Sequence, residues 1–340
     1  MSAVHELDAE TLLPYLEAHV EGFRGPLEIE KFAGGQSNPT FKLKAGSGVY
    51  VLRRQPPGKL LKSAHAVDRE FRVISALADT PIPVARAYHL CEDRDVIGSM
   101  FYVMEFCDGR IFWDASIPEV EKAERGAIYD EMTDVLADLH GVDIDAVGLA
   151  DYGKPGNYFQ RQFDRWAGQY RASETHGIEA MESLMATLGD NIPADDGRVA
   201  LVHGDYRLDN LIFAHEESKA IALLDWELST LGHPFADVAY LCMQLRMPQS
   251  VGAMSGLRGK DLAELGIPSE AEIVARYCEH AGIDGIDNFG YYVAFSFFRL
   301  AAIVQGVAKR AMDGNASSKN AAEVGRFVEP LAGFGLEALG

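Results

Sequence analysis

A polar segment enclosed by two short apolar runs, Leu201 to Phe213, constrains the fold of this chain more than any other part of its sequence. The enclosing runs, Leu201-Val202 and Leu211-Ile212-Phe213, have the length and composition of buried strands. Four polar side chains lie between them: His203, Asp205, Asp209 and Asn210. Because the burial of polar groups is costly unless they have partners, this pattern predicts a functional site held by the core.

A second apolar run, Ile221 to Leu224, ends in two carboxylates, those of Asp225 and Glu227. Asp205 and Asn210 are five residues apart in a His-Gly-Asp-x-x-x-x-Asn pattern. Protein kinases use Asp and Asn at this spacing to orient the acceptor hydroxyl and to hold magnesium. Magnesium prefers hard oxygen ligands and shares them with phosphates, so Asn210 and Asp225 predict an incomplete metal site that ATP would complete. Glu227 is a further candidate contact for metal or substrate, and the alternative is a metal-free turn between core strands.

These two motifs, His203-Gly204-Asp205 through Asn210 and then Leu224-Asp225-Trp226-Glu227, resemble the aminoglycoside phosphotransferase and choline kinase branch of the protein-kinase-like fold. In that branch HGD replaces the HRD of protein kinases. The resemblance is closest to the phosphotransferase domains associated with acyl-CoA dehydrogenases, and it covers nearly the whole chain.

The resemblance implies a two-lobed α+β fold with the site in the cleft between the lobes. Residues 1–106 would form a small nucleotide-binding lobe, an antiparallel sheet with one helix, and residues 107–340 a large, mainly helical catalytic and substrate-binding lobe. It also implies ATP and Mg²⁺ as cofactors and a small-molecule hydroxyl as acceptor. Asp205 would be the catalytic residue that orients this hydroxyl.

The first strands of the chain predict the phosphate-binding part of the small lobe. Strands Leu27–Phe32 and Thr40–Lys44 form a hairpin whose loop, in the resemblance, covers the nucleotide phosphates, although such a hairpin can also be a simple turn. The candidate contacts in this loop are Gly35, Gln36, Ser37 and Asn38.

The third strand, Gly48 to Arg54, carries Arg53 where the family places a phosphate-binding lysine, and Arg54 is the alternative. Glu70 borders the apolar stripe of the next helix, predicted from Ser63 to about Ala78, and is the candidate partner of Arg53. Arg suits phosphate recognition through its planar fork, but a solvated edge-strand arginine is the simpler alternative.

The chain leaves the small sheet after the strand Phe101–Phe106, where the resemblance places the hinge between the lobes. There the adenine edge would meet the carbonyl of Glu105 and the N–H of Cys107. Farther along, Trp113 is expected to be packed, and His140 is expected to cap the C-terminus of its helix.

Three arginines in the helical part are candidates for acceptor binding: Arg161 and Arg165 on one predicted helix, and Arg299 on the helix Tyr291–Arg310. An aminoglycoside pocket should be acidic, yet residues 241–340 hold 9 Lys plus Arg and 11 Asp plus Glu. Arginine suits a carboxylate or phosphate, so a hydroxy acid or hydroxyacyl-CoA is favoured over an aminoglycoside or other amino alcohol. Alternatively, these arginines face water or pair with local acids.

Composition limits the partners. A net charge of -20 argues against nucleic acid or an anionic membrane as a general partner. Four scattered cysteines, a polar start and no apolar run near the ~20 residues of a membrane span favour a cytoplasmic protein. Nothing in the sequence indicates an oligomeric state. The rival functions are a nucleotide-binding pseudokinase or regulatory module, and a non-nucleotide binding protein that reuses the fold.

Overall fold

The computed structural model describes residues 7–32, 38–56, 66–249, 256–313 and 324–340. The strands are β1 (Leu27–Lys31), β2 (Thr40–Ala45), β3 (Gly48–Arg54), β4 (Ala87–Cys91), β5 (Phe101–Glu105), β6 (Ala200–Val202), β7 (Leu211–Phe213), β8 (Ala220–Leu223) and β9 (Thr230–Gly232). The helices are α1 (Ala9–His19), α2 (Val67–Ala76), α3 (Lys122–His140), α4 (Tyr158–Ser173), α5 (Glu179–Asp190), α6 (Phe235–Arg246), α7 (Leu262–Leu265), α8 (Glu270–Ala281), α9 (Phe289–Met312) and α10 (Val328–Leu339). Short 3-10 helices span Leu208–Asn210, Trp226–Leu228 and Gly325–Phe327.

The N-terminal part is an antiparallel five-stranded sheet in the order β1-β2-β3-β5-β4. Alternation gives it two faces: Phe41 and Leu43 of β2 pack with α1 in one cluster, while Val51 of β3 belongs to the large core shared with the helices. Asp8 accepts a hydrogen bond from the Glu10 N–H at 3.1 Å and caps α1.

Helix α2 carries Glu70 into the interior. It begins at Val67, and the predicted cap Ser63 lies outside the described residues. Of the predicted apolar stripe, Val67, Ile74 and Leu77 are buried, whereas Phe71 is only partly buried and Val73, outside the stripe, is buried as well. Glu70 lies with them and is only 1% exposed, so it is inside the core rather than at its border.

The C-terminal part is mainly helical and is built around α9, which packs against α4, α5, α6 and α10. Helix α9 is long and apolar enough to cross a membrane by length and composition alone, which the sequence analysis had overlooked. However, 89% of its apolar window is buried inside the protein, as in a core helix. An antiparallel sheet followed by a mainly helical part confirms the predicted α+β fold.

Two small antiparallel sheets, β6–β9 and β7–β8, hold the polar segments of the sequence. The register pairs Val202 at the end of β6 with Thr230 at the start of β9, and Leu211 at the start of β7 with Leu223 at the end of β8. The loops 203–210 and 224–229 therefore begin and end at paired residues. Strand pairing alone brings the two predicted motifs together.

Candidate active site

The two motif loops are joined by hydrogen bonds as well as by strand pairing. The Leu224 N–H donates to the Asn210 carbonyl at 2.8 Å, and His203 Nε2 lies 2.8 Å from the Leu224 carbonyl oxygen. The other ring nitrogen, Nδ1, accepts from the Asp205 N–H at 3.2 Å. This pairing assigns the proton to Nε2 and makes His203 a neutral link between the loops.

Asp205 is held by its own loop and remains partly open to solvent, with 19% of its side chain exposed. Asn210 Nδ2 donates to the Asp205 carbonyl at 2.8 Å and lies 3.2 Å from Oδ2. Gly204 precedes it with φ +82°, and a Cβ there would lie 2.7 Å from the Leu228 carbonyl oxygen. Both the backbone angle and the close contact require glycine at this position.

Asp237 fixes the backbone of the loop that carries Asp205. Its carboxylate accepts from the His203 N–H at 2.6 Å and from the Gly204 N–H at 2.9 Å. Burial alone would raise the pKa of Asp237, but hydrogen bonding and charge from His140 and the loop hold it below its ordinary value. The predicted cap role of His140 is wrong: its ring lies between Asp237 at 3.4 Å and Tyr277 at 2.9 Å.

Arg53 bridges two carboxylates across the cleft. Its Nε lies 2.7 Å from Glu70 Oε2, and its Nη2 lies 2.5 Å from Asp225 Oδ1. Burial alone would lower the pKa of Arg53, but the nearby carboxylates raise it above the ordinary value, so the guanidinium stays charged. The predicted pair with Glu70 is present, whereas the contact with Asp225, 172 residues away, was not anticipated. Asp225 itself has a left-handed backbone, with φ +63°.

Glu70 has two further donors. The Tyr102 hydroxyl donates to it at 3.1 Å, and Asn38 Nδ2 donates at 2.7 Å. The Asn38 side chain is fully buried and committed to Glu70, so a phosphate contact through the backbone of Asn38 stays a prediction. The other three loop candidates, Gly35, Gln36 and Ser37, lie outside the described residues.

We expect Arg53→Ala to raise the KM for ATP about tenfold to a hundredfold, the range for hydrogen bonds between charged groups. Arg54→Ala is the matched control, because Arg54 points away from the cleft into the sheet and donates to Ser99 Oγ at 2.9 Å. It should lower thermal stability and change the KM for ATP little. Steady-state kinetics and thermal unfolding of both variants check this, and the reverse ranking of the KM values would show that the strand faces are wrongly assigned.

The donor set at Asn210 and Asp225 fits a magnesium ion. The amide nitrogen of Asn210 is committed to Asp205, which leaves its oxygen as the group available to a cation. The charges of Asp205 and Asp225 both act on Asp209, so several acids converge there, and burial raises the pKa of Asp209. Hard oxygen donors and excess negative charge suit Mg²⁺. Across the described ranges, no group of three or more His, Cys, Asp or Glu side chains could hold a metal.

Glu227, the other candidate near the metal, lies in the short helix Trp226–Leu228. Its charge is close enough to contribute to the raised pKa of Arg53. It therefore belongs to the same charged cluster, two residues beyond Asp225.

The predicted hinge begins where β5 ends at Glu105, whose N–H donates to the Arg86 carbonyl at 2.8 Å. Cys107 is half-buried, and burial raises the pKa of its thiol to about 11, so the thiol is neutral. The chain is then fastened to β7, because the backbone of Arg110 exchanges hydrogen bonds with Phe213 at 2.7 and 2.9 Å. Glu105 and Cys107 thus lie on a backbone segment anchored at both ends.

Lys42 was missed by the sequence analysis. It pairs with Val51 in the sheet, and its Nζ lies 3.9 Å from the ring centroid of Phe106 in the hinge. The signal was its alternation with the buried Phe41 and Leu43, which turns Lys42 toward the cleft.

Trp113 corrects a second expectation. Its side chain was expected to be packed, but it is 68% exposed beside a buried Phe112. The alternation of the two aromatic residues in this irregular segment was not readable from the sequence.

The sequence analysis missed two more residues near Asp205, namely Arg207 of the same loop and Tyr240 of α6. Arg207 lies 3.5 Å from Asp205 and 3.1 Å from Asp209, and so neutralises part of the acidic cluster. The charge and a hydrogen bond of Asp205 act on Tyr240, whose pKa is raised mainly by burial. The Asp-Tyr-Arg-Leu-Asp run signalled Arg207, whereas Tyr240 had no local signal.

The three candidate acceptor arginines differ in their surroundings. Arg161 donates to the carbonyls of Lys154 and Pro155, so it anchors a loop. Arg299 is 8% exposed and donates to the Gly204 carbonyl at 2.5 Å, directly before Asp205. The guanidinium carbons of Arg165 and Arg299 lie 5.1 and 5.6 Å from the centroid of the same Trp166 ring, so the two groups are neighbours. Partial burial and the positive charge of Arg299 both lower the pKa of Arg165.

The fold and site together define the class of protein. A five-stranded antiparallel sheet and a helical part meet around Asp205, Asn210 and Asp225, with a cation–carboxylate pair from the sheet and its helix. That arrangement is the one used by kinase-like phosphotransferases.

A sequence model of the phosphotransferase enzyme family matches residues 28–285, and the chain belongs to this family. It is a small-molecule kinase, an enzyme that transfers phosphate to a hydroxyl group of a small molecule. The predicted family and enzyme class are confirmed.

Curated relatives cover nearly the whole chain. The mouse protein named acyl-CoA dehydrogenase family member 10 is 48% identical over 93% of this chain, and the mouse protein named family member 11 is 44% identical over 98%. The Arabidopsis thaliana protein IBR3, named as an acyl-CoA dehydrogenase, is 43% identical over 98%. This chain spans only 30%, 43% and 43% of those proteins, respectively.

Solved structures agree with the fold. A Ralstonia eutropha JMP134 protein, provisionally named an aminoglycoside phosphotransferase, is 50% identical, with a TM-score of 0.89 over 98% of both chains. The streptomycin–ATP complex of APH(2″)-IIa is 14% identical, with a TM-score of 0.62 over 98% of this chain and 99% of that one. The second likeness supports the fold alone.

Proposed function

We propose that this enzyme uses ATP and Mg²⁺ to phosphorylate the hydroxyl group of a small anionic acyl compound, a hydroxy acid or a hydroxyacyl-CoA. The catalytic part of the proposal is supported by the joined loops that bring Asp205, Asn210 and Asp225 into one cleft. The acyl part is supported by relatives named acyl-CoA dehydrogenases, of which this chain spans less than half.

Each residue of the cleft has a chemical role in this proposal. Asp205 accepts a hydrogen bond from the acceptor hydroxyl, orients it and takes its proton as the new bond forms. Asn210 and Asp225 hold Mg²⁺, which when bound neutralises charge on the transferring phosphoryl group. Arg53, held by Glu70, binds phosphate oxygens through its fork. The backbone of Glu105 and Cys107 meets the adenine edge.

The observation that carries the choice of acceptor is the pair formed by Arg165 and Arg299. Among the described residues, neither forms an ion pair with a carboxylate. Tyr158 and Tyr240 lie near the two arginines. The guanidinium carbon of Arg299 lies 5.4 Å from the centroid of the Tyr240 ring and 5.6 Å from that of the Trp166 ring. Two neighbouring cations without acidic partners attract an anion and repel an aminoglycoside.

The acceptor class is tested by measuring ADP release with 3- and 4-hydroxyacyl-CoAs, their free acids, kanamycin and choline. We expect turnover with the acyl compounds and the background rate with kanamycin and choline. Efficient turnover of kanamycin or choline, with none of the acyl compounds, would reverse the choice in favour of an amino alcohol. Thermal-shift measurements of ATP binding, made with and without Mg²⁺, test the two cofactors separately.

The arginine pair makes a sharper prediction. Arg165→Ala should raise the KM for the acyl acceptor about tenfold, because it removes a charge-assisted contact to an anion, and should leave the KM for ATP unchanged. Arg161→Ala is the matched control on the same helix, since its guanidinium is committed to backbone carbonyls. Equal effects of the two substitutions on the acceptor KM would argue against a specific anion site at Arg165.

A further inference from the structure

The helix that supplies Glu70 is fastened to the C-terminal part of the chain by a second residue, the preceding Arg69. Arg69 Nη2 donates to the Tyr152 carbonyl at 2.8 Å and lies 3.4 Å from the Ser229 carbonyl oxygen. Its guanidinium carbon also lies 4.1 Å from the centroid of the Tyr152 ring. Successive residues on a helix point about 100° apart. One turn of α2 therefore presents Glu70 to Arg53 and Arg69 to Tyr152.

Tyr152 continues this connection to the segment that carries Asp225. Its hydroxyl lies 2.7 Å from Ser229 Oγ, which in turn donates to the Trp226 carbonyl at 2.6 Å. Because the Ser229 hydrogen is used on Trp226, the Tyr152 hydroxyl is the donor in the pair. Tyr152 is 1% exposed, so no water competes for these bonds. A chain of contacts runs from Arg69 through Tyr152 and Ser229 to Trp226, the residue after Asp225.

The backbone around Tyr152 is also tightly fixed. A Cβ at the next residue, Gly153, would lie 2.4 Å from Thr230 Oγ1 and 2.5 Å from the Leu231 N. Arg72, one turn after Arg69, donates to the Gly148 carbonyl at 2.9 Å. Segment 148–153 therefore contacts α2 on one side and β9 on the other and cannot shift without disturbing both.

We propose that Tyr152, clamped between Arg69 and Ser229, is a positioning residue that holds Glu70 and Asp225 at the separation that one Arg53 guanidinium can bridge. The Arg53 fork has fixed geometry, so its two ion pairs require both carboxylates to be in register. Glu70 and Asp225 belong to elements that are far apart in sequence. Tyr152 and its partners connect those elements directly. Both ion pairs of Arg53 form only when the two elements are correctly placed relative to each other.

The inference rests on the proposed use of ATP and is tested by removing single hydroxyl groups. Tyr152→Phe keeps the ring against Arg69 and loses the hydroxyl contacts to Ser229 at 2.7 Å and to the Arg69 carbonyl at 3.3 Å. Ser229→Ala removes the bond to Tyr152 from its other end, together with the bond to the Trp226 carbonyl. Each should raise the Kd and KM for Mg-ATP about threefold to tenfold, the range for one neutral hydrogen bond, and leave kcat at saturating ATP within about twofold. In the double variant the two effects should be less than additive, because both substitutions remove the Tyr152–Ser229 bond.

Two controls separate positioning from simple stabilisation. Tyr129→Phe removes another fully buried hydroxyl, which donates to the Ala115 carbonyl at 2.8 Å, and should lower thermal stability without changing the Kd for Mg-ATP. In an Arg53→Ala background, Tyr152→Phe should change that Kd by less than about twofold, because the fork through which it acts is gone.

The outcomes are distinct. A Tyr152→Phe enzyme that loses stability like Tyr129→Phe but binds Mg-ATP like the wild type would overturn the inference and leave the proposed function standing. So would an undiminished effect of Tyr152→Phe in the Arg53→Ala background. Failure of the wild-type protein to bind Mg-ATP would overturn both the proposed function and the inference that depends on it.

Discussion

Asp205→Asn should lower turnover by about 10²–10⁴-fold, which is the range for loss of a positioned general base. The fold and the affinity for ATP should stay intact. The Asn side chain keeps the shape of Asp205 and can still meet Arg207 and Asn210, but it can no longer accept the hydroxyl proton. Single-turnover and steady-state phosphoryl transfer, together with calorimetric titration of Mg-ATP, measure the two properties separately.

Asp209→Asn is the matched control for this prediction. Asp209 lies in the same loop, contacts the same Arg207 at 3.1 Å, and is similarly shielded, with 15% of its side chain exposed. We expect less than about tenfold loss from it. If Asp205→Asn kept turnover within about threefold of wild type, or if Asp209→Asn were the more damaging change, Asp205 would not be the catalytic carboxylate.

Asp225→Ala should abolish Mg²⁺-dependent binding of ATP and with it all measurable transfer. The carboxylate is the only charged ligand in the candidate metal site, and Asn210 alone offers one neutral oxygen. Asp225 is also a partner of Arg53, so its removal leaves the guanidinium paired with Glu70 only. Calorimetric titration of ATP in the presence and absence of Mg²⁺ shows whether the metal-dependent part of the affinity disappears.

Glu227→Ala tests whether the effect belongs to one carboxylate. Glu227 lies two residues later and contributes to the same negative cluster around Arg53. Its removal should lower the affinity for Mg-ATP only slightly, because the charge of Glu227 is screened by solvent and Glu227 is not one of the two proposed magnesium ligands. Unchanged Mg-ATP affinity in Asp225→Ala would show that the metal lies elsewhere.

The sequence predicted those parts of the site in which a local pattern decides where a side chain points. Alternation along β3 directed Arg53 to the cleft and Arg54 away from it, and the helical stripe of α2 brought Glu70 inward. The short strands β6, β7 and β8 could also be predicted, because apolar runs of two to four residues flank the polar segments. The division of the chain at residue 106 stays a prediction.

What the sequence could not predict depends on contacts between distant elements. The Arg53–Asp225 pair joins residues 172 positions apart, and the Tyr152–Ser229 bond joins residues 77 apart. No sequence periodicity or motif marks either contact, because each depends on how the five-stranded sheet and α2 pack against the loops 203–210 and 224–229. Asn38 and Arg161 show the converse limit. The family resemblance and a polar helix face marked them as candidate ligands, but in the structure the Asn38 side chain donates to Glu70 and the Arg161 side chain to backbone carbonyls.

The guanidinium at position 53 has a consequence for chemical labelling. Nucleotide probes that transfer an acyl group to a lysine amine need a nucleophile beside the phosphates, and Arg53 offers only a permanently charged, unreactive group. Among the described residues, Lys42 places an amine at the hinge, 3.9 Å from the centroid of the Phe106 ring. A peptide modified by such a probe would therefore come from β2 rather than β3, and proteome surveys that score only the β3 lysine would pass over this enzyme.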